Sequence, residues 1–290
     1  MNRRQFVQVA AALPVWAADA KPMRLGLIVS AGRDPESAIR TVHELGFPTC
    51  QVAVEYFAPE LAVRLRGALD RYGVEATSAV AGGPGPEIYD FYQGPLTIGL
   101  VPRATREARI ARVRQTSDFA KKCGIPAVQT HCGFIPENPN DPVYKEAVDA
   151  VRQVAAYCRK NGQSFRCETG QETPVTLLRT IRDVGLDNVG VNFDPANLIM
   201  YGKADPVEAL DVLGSLVLGV HAKDGLYPVD PKNLGREVPI GQGKVEFPRF
   251  IERLKDVGYR GPLTIEREVS GPKQLEDVRK AKAYLEKLVG

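Results

Sequence analysis

No uninterrupted apolar run of about 18 residues occurs in the 290-residue chain, so no segment is expected to cross a bilayer as a helix. Charge of one sign is missing too. Lys and Arg number 38 against 35 Asp and Glu, and a net +3 gives no general attraction for nucleic acid or an acidic membrane surface. Histidine is scarce, at His43, His131 and His221, which argues against a multinuclear site built on imidazoles. The five cysteines (Cys50, Cys123, Cys132, Cys158 and Cys167) are odd in number and irregularly spaced, with no Cys-x-x-Cys pair. That excludes a disulfide framework and a zinc or redox motif; buried thiols are expected, with a single bridge left open. Gly241-Gln242-Gly243-Lys244 lacks the glycine spacing and following Ser or Thr of a phosphate loop, and reads as a turn entering a helix. The densest basic stretch, Arg103 to Arg114, has the pattern of a solvated helix face.

What is present is globular: 44% hydrophobic and 25% charged residues, enough to bury a large core. Residues 1–20 combine Arg3-Arg4, an apolar stretch from Phe6 to Ala18, and Ala18 and Ala20 in an Ala-x-Ala arrangement. This is export-signal chemistry of the twin-arginine type, predicting cleavage and a periplasmic or otherwise exported protein. From Met23 onward, short Val/Ile/Leu-rich runs alternate with amphipathic stretches. Strands are expected at 24–29, 49–54, 74–80, 126–131, 164–168, 189–193, 216–221 and 262–266. Helices are expected at 36–46, 59–72, 105–123, 143–161, 174–184, 206–213, 247–257 and 272–288. Several end on a glycine (Gly46, Gly73, Gly124, Gly162, Gly258) placed to reverse the chain in a left-handed cap. Eight such units without a second domain predict an α/β protein, a single (β/α)8 TIM barrel over 21–290.

Three connections exceed what the repeat needs: 81–104, 132–142 and 222–246. All follow strands, which puts them on the face where barrel enzymes keep their sites. The first carries Gly82 to Pro86 and then Tyr89, Phe91 and Tyr92, a composition that fits either a lid over a ligand or a static surface loop. Four successive strand ends finish in metal-ligand side chains: Glu168, Asp194, His221 and Glu266. Three carboxylates and an imidazole suit one divalent ion, Mn²⁺ first, then Co²⁺, Mg²⁺, Zn²⁺ or Fe²⁺. By strand parity Gln129 and His131 face the barrel mouth as substrate contacts. Lys223 shares the side of His221, either holding a sugar oxygen or pairing with Asp224; Glu268, on the side of Glu266, reads as a support or substrate contact beside the ligands, and Arg166, on the side of Glu168, as a charge that offsets the carboxylates, with a structural ion pair the alternative for both.

The runs CETGQETP (167–174), VGVNFDPANL (189–198), GVHAKDG (219–225) and IGQGKVEFPRFIERLKDVGYRGPLTIERE (240–268) resemble the xylose isomerase-like barrel superfamily, in its sugar phosphate isomerase and epimerase branch. That resemblance implies that Glu168, Asp194, His221 and Glu266 hold one metal ion and that Glu168 and Glu266 also serve as acid and base. It departs from many ketose epimerases at Asn197, where they carry a His, so a non-titratable donor to substrate is expected there. It also tips Lys223 towards a site role.

The implied chemistry is isomerisation or epimerisation of a sugar or sugar derivative through a metal-stabilised enediolate, with two Glu moving the proton. Two alternatives stay open: a metal-dependent lyase acting on an oxidised (keto) glycoside, and a non-catalytic sugar-binding barrel of the envelope. The expected partner is a small carbohydrate, with no nucleic acid and no membrane span; a homo-oligomer is left open.

Overall fold

A computed structural model of the protein describes residues 23–290, and the expected export signal over 1–20 lies outside the described residues. Eight parallel strands close into one barrel. They are β1 (Leu25–Ser30), β2 (Thr49–Val54), β3 (Glu75–Ala81), β4 (Ala127–His131), β5 (Ser164–Glu168), β6 (Val189–Phe193), β7 (Val217–Ala222) and β8 (Leu263–Ile265). Each pairs with its successor, and Leu25 opposite Leu263 closes the ring. The single-domain (β/α)8 barrel read from the alternation is therefore what the chain forms, with every expected strand within a residue or so of its place.

Local chemistry sets the outer layer. Helices begin on proline at Pro35, Pro59, Pro142, Pro174, Pro206 and Pro272, where a missing N–H costs nothing and a fixed φ suits the first turn. Asp141, Thr173 and Asp205 cap three of them by accepting from first-turn N–H groups. The glycines expected to reverse the chain do so, as at Gly73 (φ 63°) and Gly124 (φ 72°). Phe165, Phe193 and Val191 face helices outside the barrel, Phe193 stacking on Phe250 at 5.6 Å between ring centres. All five cysteines are free and buried. Among the described residues, no helix is long and apolar enough to cross a membrane.

The inside of the barrel is polar. Gln51, Ser78, Gln129, Asn192 and His221 are buried there and bond to one another across it. Buried polar groups are tolerated only when satisfied, and this set is closed largely on itself.

At the carboxyl-end face the long connections are tied together. Phe91 N donates to Lys232 O at 2.9 Å, and Asp90 bridges Asn233, so the 81–104 loop is fastened to the 222–246 loop. The buried guanidinium of Arg109 grips Glu87 and donates to Thr97 O at 2.6 Å, anchoring the first loop from below. Asp224 gathers the second: its carboxylate accepts from the N–H groups of Gly241 and Gly243, each at 2.9 Å, and of Val245 at 3.2 Å. Gly241 to Lys244 is thus the turn expected of it, wrapped around a buried carboxylate.

Candidate active site

Glu168, Asp194, His221 and Glu266 converge at the ends of β5, β6, β7 and β8, with one ligand atom from each within 4.8 Å of all the others. Each arrives by a local device. Asp194 caps the short helix Pro195–Met200, its Oδ1 accepting from Asn197 N at 2.9 Å, while its backbone N–H and C=O are both bonded to Thr169 Oγ1. One carboxylate oxygen is consumed by that cap. The other, Oδ2, is turned inward without a hydrogen-bond partner among the described residues, 3.5 Å from His221 Nδ1.

The orientation of His221 is fixed from behind. Ser78 Oγ donates to Gln129 Oε1 (2.6 Å), and Gln129 Nε2 donates to Gln51 Oε1 (2.8 Å). Gln51 Nε2 donates to Asn192 Oδ1 (3.2 Å), and Gln51 Oε1 lies 2.7 Å from His221 Nε2. A carbonyl oxygen has no hydrogen to give, so Nε2 carries the proton and Nδ1 keeps its lone pair. That lone pair faces Glu168 Oε1 and Glu266 Oε2, each at 3.2 Å, and has no hydrogen-bond partner among the described residues. A lone pair pressed against three carboxylates is repulsive unless a cation or proton lies between them. The orphaned Nδ1 and Asp194 Oδ2, in an oxygen-rich donor set, therefore fit a divalent metal ion.

Electrostatics agrees. Burial opposes charge on Glu266, but Lys223 and His221 outweigh it and hold the carboxyl well below its usual range. Burial likewise pushes Glu168 up, and His131 and His221 bring it down. For Asp194 burial prevails and its pKa is raised. Burial works against an imidazolium at His221, yet Glu168 and Glu266 raise its pKa well above 6.5, the response of a lone pair waiting for a positive charge.

Around the cluster, His131 lies at the rim with Nε2 3.7 Å from Glu168 Oε1, and its Nδ1 accepts from Gln171 Nε2 at 3.2 Å. Lys223 is buried, binding Glu266 Oε2 at 3.1 Å and Glu268 Oε1 at 2.7 Å, and it reaches Asn197 Oδ1 at 3.5 Å. The alternative pairing of Lys223 with Asp224 is not what forms; Asp224 is spent on the loop it gathers. Glu268 keeps a largely exposed side chain at the mouth.

Two expectations need correction. Gln129 shares the inward face of β4 with His131, but it sits one layer deeper, fully buried and bonded to Ser78 and Gln51, so it supports His221 rather than facing substrate. Arg166 makes no ion pair with the carboxylates among the described residues; it lies under Gly219, where a Cβ would come 2.9 Å from its guanidinium and 2.5 Å from Asn192 Oδ1. Gln51, Ser78 and Asn192 were not singled out from the sequence, although a Gln inside the apolar run of β2 was the available signal. Replacing Gln51 by Leu is expected to weaken metal affinity about 10–100-fold by releasing the imidazole orientation. Calorimetric titration with Mn²⁺ measures it, and unchanged affinity contradicts the supporting role.

A cavity of about 530 Å³, lined by Ala53 to Tyr56, Val80, Gly82 to Gly85 and Arg112, opens at the ends of β2 and β3 and includes none of the four converging side chains.

Known proteins with this architecture share its course. A xylose isomerase domain protein from Planctomyces limnophilus superposes with a TM-score of 0.87 at 36% identity, covering 92% of this chain and 98% of that one. An L-ribulose-5-phosphate 3-epimerase of Salmonella paratyphi B is 26% identical over 245 residues, 79% of this chain and 80% of its own length. An uncharacterised protein of Methanocaldococcus jannaschii is 26% identical over 264 residues, 86% of this chain and 83% of its own. The model of the xylose isomerase-like TIM barrel family matches residues 34–288. With that match running almost from end to end, and with the barrel and its converging strand ends in place, the chain belongs to the xylose isomerase-like TIM barrel family.

Proposed function

We propose that the protein is a divalent-metal-dependent isomerase or epimerase of a small sugar. The observation that carries this reading is the pair of orphaned buried atoms, His221 Nδ1 and Asp194 Oδ2, inside a ring closed by Glu168 and Glu266. The epimerase activity of the Salmonella relative supports it.

A bound Mn²⁺, Co²⁺ or Mg²⁺ would supply positive charge next to the oxygens of the reacting carbons, favouring loss of the proton between them. Glu168 and Glu266 approach the ring from β5 and from the end of β8, two separate sides of the same space. That is the arrangement in which one carboxylate takes a proton from carbon and the other returns one, to the opposite face for epimerisation or to the neighbouring carbon for isomerisation. Lys223 bonds Glu266 and makes no ion pair with Glu168 among the described residues, so the two carboxyls answer differently to one proton. His131 and Asn197 border the space as hydrogen-bonding groups for substrate oxygens.

Turnover in deuterium oxide tests this. Chelation should abolish activity, Mn²⁺ or Co²⁺ should restore it, and product should carry solvent deuterium at the reacting carbon. Activity indifferent to chelation, or product formed without any solvent hydrogen, contradicts the reading. Export belongs to the same proposal and rests on Arg3-Arg4 and the Ala18-x-Ala20 arrangement; protein recovered from the cell envelope should begin at Lys21.

A further inference from the structure

Regular structure fixes three of the four converging side chains, and the fourth stands outside it. Glu168 is the last residue of β5, in register with His131 on one side and Asn192 on the other. His221 lies within β7, and Asp194 caps a helix. Glu266 comes one residue after β8, a strand only three residues long whose pairing on both sides ends at Ile265. One backbone bond, from Glu266 N to Ala222 O at 3.1 Å, ties it to the barrel. Beyond that bond the sheet no longer directs the chain.

Side chains take over from there. Arg267, the next residue, has a side chain 11% exposed and set between two carboxylates: Nη1 lies 3.0 Å from Glu237 Oε2, and Nε donates to Asp277 Oδ2 at 3.0 Å. Its carbonyl accepts from Gln274 Nε2 at 2.7 Å, and the N–H of Glu268 donates to Glu237 Oε2 at 3.1 Å. Gln274 and Asp277 belong to the last helix, Pro272–Val289, whereas Glu237 belongs to the 222–246 connection. Helix and loop therefore hold residues 267 and 268 between them, and Glu266 is strung from that anchor to the sheet. A guanidinium suits the task because its donors fan out in one plane and reach both carboxylates at once, which a single ammonium does less well. The loop also meets Glu266 directly, since Lys223 at its root bonds Glu266 Oε2 at 3.1 Å.

We propose that Arg267 is a positioning residue: paired with Glu237 and Asp277, it sets the reach of Glu266 into the site, and through Glu237 it makes the place of that carboxylate follow the 222–246 loop. Its consequence for proton transfer rests on the isomerase reading. A reacting group displaced by about 1 Å loses on the order of a hundredfold in rate, so a support of this kind is felt in the chemistry.

The test uses the full chain and Mn²⁺. Arg267→Met keeps a long side chain and removes both pairings; at saturating metal it should lower kcat about 10–100-fold with KM within about threefold, and calorimetric titration should find Mn²⁺ bound about tenfold more weakly. Arg267→Lys, which keeps the charge and serves one carboxylate, should fall between the natural chain and Arg267→Met in both readouts. Arg253→Met, which breaks a pairing with Asp211 on the outer helices, controls for lost stability and should leave both unchanged. Where Arg267→Met does not fold, Glu237→Gln and Asp277→Asn carry the test, each lowering kcat and Mn²⁺ affinity about threefold to tenfold. An Arg267→Met chain that melts earlier yet keeps the natural kcat and Mn²⁺ affinity, an Arg267→Lys chain no better than Arg267→Met, or unchanged values in both substitute variants overturns the proposal. Failure of the isomerase reading shows separately, as product of the natural chain without solvent deuterium, and leaves the Mn²⁺ titrations to decide the role of Arg267.

Discussion

Glu168→Gln and Glu266→Gln, each assayed at saturating metal, are expected to lower kcat at least about a thousandfold, the scale of general acid-base catalysis combined with loss of a charge at the reacting centre. Both side chains contribute a ligand atom to the four-residue ring, and both are held below the ordinary carboxylate range by the positive groups beside them, which overcome the cost of burial. Glutamine keeps the shape and removes the ability to carry a proton. Glu268→Gln is the control: its side chain is 60% exposed and bonded only through Lys223 to the cluster, so a loss within about tenfold is expected. Steady-state rates with metal content measured on the same samples separate lost chemistry from lost metal. Retained activity in either ligand variant at full metal occupancy contradicts the proton-transfer roles.

Glu172→Gln should act on stability, with an effect that grows with pH. Glu172 is 1% exposed, neither carboxyl oxygen has a side-chain hydrogen-bond partner among the described residues, and burial, opposed by its own backbone N–H and by Lys203, raises its pKa to about 8. A carboxyl whose folded pKa lies above its unfolded value binds its proton more tightly when folded. Its contribution is therefore complete below about pH 4.5 and is lost as pH climbs towards 8. That loss is on the order of 3–5 kcal/mol for a fully buried group. Glutamine cannot ionise, so the melting temperature of the variant relative to the natural chain should rise steadily between pH 5 and pH 8. Parallel melting curves across that range contradict a neutral buried carboxyl at position 172.

The fold was legible because each of its decisions is local. Prolines opening helices, glycines such as Gly73 and Gly124 closing them, and short apolar runs between them carry no long-range information, yet eight repeats of that grammar admit few closures. The convergence of Glu168, Asp194, His221 and Glu266 was legible for a related reason: a side chain that closes a barrel strand has only one place to go. Depth was not legible. Strand parity puts Gln129 and His131 on the same inner face, but parity says nothing about height along the barrel, and Gln129 lies a layer below the mouth. The partners of His221 were hidden by distance in sequence, since Gln51 meets His221 across 170 positions and Asn192 across 141. For the same reason the aromatic loop after β3 gave no sign of its tie to Lys232 and Asn233.

Everything chemical here depends on one cation shared by four side chains, and metal counting on purified protein reaches that claim most directly. Elemental analysis and calorimetric titration should find one divalent ion per natural chain, a His221→Ala chain that stays folded but binds far more weakly, and a Gln51→Leu chain in between. A natural chain that takes up no Mn²⁺, Co²⁺, Mg²⁺, Zn²⁺ or Fe²⁺, or a His221→Ala chain that binds as tightly as the natural one, contradicts it.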